Sequence, residues 1–201
     1  ISAAFAVNYA WTAYNGVKII AAIQHAHNLK DGLEKAGVVE FWGNFESVDW
    51  SKELNNATTF FFFVLYAYSW RNTNKAKLKK LSEDGCKIEI VLPDYRNETL
   101  LQELSSTINV KPDVLKGRIL EAIDNMKLYN TSIYLYPKRY AYTFYKIDDN
   151  FIFVPFKHNS AKEVELPTFK ASSNDEIKSD FYSFLEMEKT EIISKSEKLE
   201  Y

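Results

Sequence analysis

Residues 59–95, "TFFFFVLYAYSWRNTNKAKLKKLSEDGCKIEIVLPDY", decide the fold class. The run 59–70 is aromatic and aliphatic almost without a break. A strand that is apolar on both faces belongs in the middle of a sheet that helices cover on both sides. The polar stretch after it predicts a helix with an Asn or Thr cap, Leu78 and Leu81 turned inward, lysines turned outward and Gly85 as its stop. "KIEIVLPDY", 87–95, then reads as a second strand closed by Pro93. Strand, helix and strand within about 35 residues form a right-handed crossover that joins parallel strands.

Ligands of open α/β sheets sit beyond the carboxyl ends of the parallel strands. The first strand brings Tyr68, Ser69, Trp70, Arg71 and Asn72 to that rim, and the second brings Asp94, Tyr95 and Arg96. Two arginines among aromatic rings suit a phosphate-bearing or planar ligand. The same residues serve equally well as helix caps and surface ion pairs.

Outward from this unit, "VVEFW" (38–42) reads as a strand and 49–58 as a short helix capped by Asp49. Residues 97–126 read as helical, with Pro112 at a helix start. Strands follow at 131–137, 139–147, 150–156 and 163–169, and an amphipathic helix at 175–193 places Ile177, Phe181, Phe184 and Leu185 on its apolar side. Asp148, Asp149 and Asn150 read as the turn between two of these strands. The expected organisation is an N-terminal helix over 1–30, one α/β domain over 31–193 and a frayed tail over 194–201.

The chain has 201 residues, enough for one substantial core. Its formal net charge of −2 supplies no global basic field, so contact with a nucleic-acid backbone would need a local patch, and direct nucleic-acid binding is not favoured. One cysteine, Cys86, excludes an intrachain disulfide and a multi-cysteine zinc site, and a reducing cytoplasm is the natural setting. No cofactor or metal site is expected; His25 and His27, two apart, point to different sides of a helix.

Residues 1–30 contain no acid. As a signal peptide the segment fails, for it has no basic leading region. As a membrane span over 1–24 it is marginal, because Asn8, Thr12, Asn15 and Lys18 interrupt it. As a helix packed on a partner through Ala4, Val7, Trp11, Tyr14, Ile19 and Ile23 it is comfortable. The chain opens on Ile1, from which a longer parent with an upstream module is expected.

The order of elements resembles the phospholipase D superfamily, whose hairpin carries His-x-Lys, four residues, Asp, six residues and Gly-Ser-x-Asn. In "RYAYTFYKIDDNFIFVPFKHN" (139–159), that spacing puts Tyr142 at the histidine, Phe144 at the lysine and Asp149 at the aspartate. Phe156 and Lys157 then fall at Gly-Ser, and Asn159 at the asparagine. A closer likeness is to a divergent phospholipase D-like domain of bacterial regulatory proteins. It is carried by "LEKAGVVEFW" (33–42), "GCKIEIVLPD" (85–94), "YAYTFYKIDDNFIFVPF" (140–156) and the pair Phe181 and Phe184, and it covers residues 29–188.

The resemblance implies a mixed sheet covered by helices on both faces and a homodimer. With the histidine and lysine gone, it implies no catalysis by the family mechanism. It points instead to a sensor or docking module of a longer signalling or defence protein. Such a cleft would use Tyr68, Trp70, Arg71, Asp94, Arg96, Arg139, Tyr142, Lys146, Lys157 and Asn159 to bind a nucleotide or another phosphorylated ligand. The alternatives are a phosphodiesterase or nuclease with a rearranged centre of Tyr142, Asp149 and His158, and a structural oligomerisation domain anchored to a partner or a membrane by its first helix.

Overall fold

The computed structural model describes residues 18, 24, 31–33, 35–155, 166–173 and 179–201. Among the described residues, eight strands form one mixed sheet in the order β1-β7-β6-β5-β2-β3-β4-β8. The strands are β1 Val38–Trp42, β2 Thr59–Phe63, β3 Lys87–Pro93, β4 Ser132–Tyr136, β5 Tyr142–Ile147, β6 Asn150–Pro155, β7 Thr168–Ser172 and β8 Glu197–Lys198. The helices are α1 Trp50–Glu53, α2 Tyr68–Thr73, α3 Lys75–Glu83, α4 Glu98–Thr107, α5 Pro112–Lys127 and α6 Asp180–Lys195. The fold class is therefore α/β, as the residues 59–95 predict.

β2 lies between β3, which is parallel to it, and β5, which is antiparallel. Four phenylalanines in a row make that position stable, since both faces of β2 are covered. Phe60 and Phe62 meet Trp70 and Tyr145 on one face, and Trp50 packs on Trp70 and Tyr145. On the other face Phe61 and Phe63 meet Phe144. There α6 crosses the sheet, seating Tyr182 on Phe151 and Phe181 on Phe153. Burying one such ring contributes roughly 1.5–3 kcal/mol.

Three expectations change at element ends. The strand expected over 59–70 stops at Phe63, and Ala67 at φ 46° and ψ 39° turns the chain into α2. Tyr68, Trp70 and Arg71 therefore sit on a helix rather than at a strand tip. The strand expected at 163–169 is β7, over 168–172, and inserts between β1 and β6. The tail expected to fray is docked: β8 pairs with β4, the Leu199 amide donates to the Ile133 carbonyl at 2.9 Å, and the Tyr201 hydroxyl donates to the Thr131 carbonyl. Apart from Lys18 and Gln24, which are helical and exposed, the N-terminal helix expected over 1–30 lies outside the described residues. Among the described residues, no helix is long and apolar enough to cross a membrane.

The hairpin turn has a tertiary task. Asp148 takes φ 46°, and its carboxylate accepts from the Thr58 and Thr59 amides at 3.1 and 2.9 Å and from their hydroxyls at 2.7 and 3.1 Å. The β5–β6 turn is thereby tied to the start of β2.

Candidate functional site

The rim expected to hold a phosphorylated ligand is closed by its own bonds. Arg71 is buried, donates from Nε to the Tyr66 carbonyl at 2.9 Å and lies 4.0 Å from Glu121. Burial lowers its guanidinium pKa, and Glu121 only partly restores it. Trp70 is buried among Trp50, Phe60, Phe62 and Tyr145, so it offers no face to a ligand. Arg96 is clamped between two carboxylates: Asp94 at 2.8 and 3.0 Å, and Glu197 of β8 at 2.9 and 2.7 Å. Burial pushes Asp94 up, but its bonds to Arg96 outweigh that and hold the carboxyl below its usual range. Tyr68 remains exposed.

The hairpin residues are similarly engaged. Phe144 is fully buried between Phe61 and Phe151, with ring centroids 5.6 and 5.5 Å away. Lys146 bonds the Asp148 carbonyl at 2.8 Å and Glu186 at 2.9 Å. Tyr142 donates to Glu188, and both burial and that carboxylate raise its phenol pKa, which moves it away from the phenolate a nucleophile needs. Asp149 is exposed on the turn. Lys157, His158 and Asn159 lie outside the described residues. Among the described residues, no group of three or more His, Cys, Asp or Glu could hold a metal. Burial pushes the Cys86 thiol up to about 11, the opposite of activation.

Arg139, unlike Arg71 and Arg96, has no carboxylate partner among the described residues: it is exposed, and its Nη2 reaches the Thr107 hydroxyl at 3.5 Å. It lines a cleft of about 630 Å³ with Phe63, Tyr136, Tyr140, Ala141, Tyr142, Glu188 and Ile192, beyond the ends of β2 and β4.

A second feature is a cationic face that the net charge conceals. Helix α3 buries Leu78 and Leu81 and carries Lys75, Lys77, Lys79 and Lys80, with no acid before Glu83. Lys77 bonds the Asn74 side chain at 3.1 Å, and Lys79 lies 3.7 Å from Glu83. Neither Lys75 nor Lys80 forms an ion pair among the described residues. Lys77 and Lys80 line a groove of about 480 Å³ with Ser51, Asn55, Asn56 and Thr58, and Asp84 stands at its end. Lys52 is exposed on α1 nearby. Lysine spacing in "KAKLKKL" was the signal for this face; reading it only as a solvated side of a helix passed over it.

No protein-family model matches the chain, and no curated protein matches it. Among solved structures it is similar to TrmBL2, described as an archaeal chromatin protein that "shows a novel mode of DNA binding". The two are 13% identical with a TM-score of 0.48, over 94% of this chain and 67% of that one.

Two expectations are corrected here. They are the sensor of a phosphorylated ligand and the disfavouring of direct nucleic-acid contact. The physical reasons lie in this chain. Arg71, Arg96 and Lys146 bond carboxylates and carbonyls of the same molecule, which leaves Arg139 alone of the expected cationic residues without such a partner among the described residues. Net charge, for its part, does not describe a local patch such as α3.

Proposed function

We propose that this domain docks on nucleic acid through sequence-independent contacts between the α3 face and backbone phosphates. The observation that carries the reading is the set of four lysines on one nine-residue helix, with Lys75 and Lys80 in no ion pair among the described residues. Lysine serves a phosphate as a point charge on a flexible stem, and such contacts position a protein without reading sequence. The hydroxyl and side-chain amide groups of Ser51, Asn55 and Asn56 in the adjoining groove add neutral donors of the kind that bond phosphate oxygens. The net charge of −2 makes the rest of the surface mildly repulsive, so binding is local and sensitive to salt. On this reading, kinship with the phospholipase D superfamily survives as ancestry of the scaffold, with Phe144 as filling rather than phosphate ligand.

The test is fluorescence anisotropy with a labelled duplex of about 20 base pairs at low salt. The wild-type chain binds, and the quadruple variant Lys75→Gln, Lys77→Gln, Lys79→Gln, Lys80→Gln loses most of that affinity while keeping its melting temperature. Equal binding by both proteins, or none by the wild type, would sink the reading.

A further inference from the structure

The cleft beyond β2 and β4 lies at the opposite end of the sheet from the lysine groove, whose Thr58 and Cys86 directly precede β2 and β3. Its floor is aromatic. Phe63 is 4.1 Å from Tyr140, 5.5 Å from Tyr136 and 6.1 Å from Tyr142, between ring centroids. Tyr140 is fixed by its hydroxyl, which donates to the Val64 carbonyl at 3.0 Å.

Two opposite charges face this floor without neutralising each other. Arg139 and Glu188 both line the cleft, yet no ion pair joins them among the described residues. The Tyr142 hydroxyl donates to one oxygen of Glu188, which orients the carboxylate and leaves its other oxygen open to a donor. Arg96, by contrast, is paired closely with Asp94 and Glu197. A guanidinium and a carboxylate that line one cleft without pairing match a ligand that carries the complementary pair.

We propose that this cleft binds a small zwitterion, an α-amino acid with an apolar or aromatic side chain. Its carboxylate meets Arg139, whose planar fork accommodates both oxygens. Its ammonium meets Glu188 beside the tyrosine rings, which favour a cation over their faces. Its side chain lies against Tyr142 and the small exposed parts of Tyr136 and Tyr140, behind which Phe63 is buried. A volume of about 630 Å³ admits such a ligand. A molecule with only one of the two charges leaves the other protein group unanswered and binds less well.

The test is calorimetric titration of the whole chain, free of nucleic acid, with L-leucine, L-isoleucine, L-methionine, L-phenylalanine, L-tyrosine and L-tryptophan. For the strongest of these, the N-acetyl and the amide derivatives remove one charge each. At least one amino acid binds. Each derivative, and each of the variants Arg139→Gln and Glu188→Gln, weakens binding by about tenfold or more. Arg139 is exposed, so its variant folds even where Glu188→Gln disturbs Tyr142. The lysine-to-glutamine variant of α3 binds the amino acid as the wild type does, which separates this site from the nucleic-acid reading. Absence of binding for all six amino acids overturns the proposal. So does equal binding of the singly charged derivatives, or by Arg139→Gln.

Discussion

At the scale of single residues, the decisive positions are those where an expected reactive group turns out to be structural. Phe144 stands where the phospholipase D-like pattern has a lysine, and it fills the core between Phe61 and Phe151. Phe144→Ala should therefore destabilise the protein by about 3–5 kcal/mol in urea titration, the usual penalty for an emptied aromatic site. Phe144→Lys, which restores the lysine of the motif, should be at least as harmful, because it puts an ammonium where a fully buried ring packs against Phe61 and Phe151. Near-native stability of either variant would contradict this packing. Asp148 supplies a pH-dependent contribution. Burial raises its pKa, but four donors from Thr58 and Thr59 outweigh that and hold it below the usual aspartate range. The sign follows: the stabilisation is fully present above the unfolded pKa and is lost as pH falls through the folded one. Asp148→Asn keeps a residue that tolerates the left-handed turn but loses the charged acceptor. It should cost about 1–3 kcal/mol at neutral pH. Its deficit relative to wild type should shrink below pH 4, as read by urea midpoints across pH; a constant deficit would contradict the assignment.

At the scale of elements, legibility tracks how local the cause is. The crossover from β2 through α3 to β3 could be read because a run apolar on both faces, lysines turned outward and Gly85 are all local signals. The tight turn at Asp148 could be read from composition, but not its four bonds to Thr58 and Thr59, which come from 90 residues away in the chain. The burial of Arg71 was hidden, because it depends on the left-handed Ala67 starting α2 early and on Glu121 from α5. The docked tail was hidden for a similar reason. "SKSEKLEY" is polar, yet Glu197 closes on Arg96 and Leu199 bonds to Ile133. Truncation after Ser196 should therefore lower stability by about 1–3 kcal/mol through the lost hydrogen bonds. It should also promote self-association through the bared edge of β4. Chemical denaturation and size-exclusion chromatography check both effects, and an unchanged midpoint with an unchanged elution volume would mean that the tail frays after all.

At the scale of the whole molecule, two candidate binding surfaces occupy opposite ends of one sheet. The α3 face and its groove lie at the end where the parallel strands begin, and the Arg139–Glu188 cleft lies where they finish. Sites so separated, with no shared partners, should respond to substitution independently. Overall charge, the one global number the sequence offers, averaged the lysine face away and pointed against nucleic acid. The measurement that tests this account most directly is the salt dependence of duplex binding, wild type beside the quadruple lysine variant. Four phosphate contacts predict a log–log slope near −3.6 and a loss of roughly a hundredfold between 50 and 200 mM salt. The variant should bind weakly with a nearly flat slope. A wild-type slope near zero, or an equally steep slope in the variant, would contradict the assignment of nucleic-acid docking to α3.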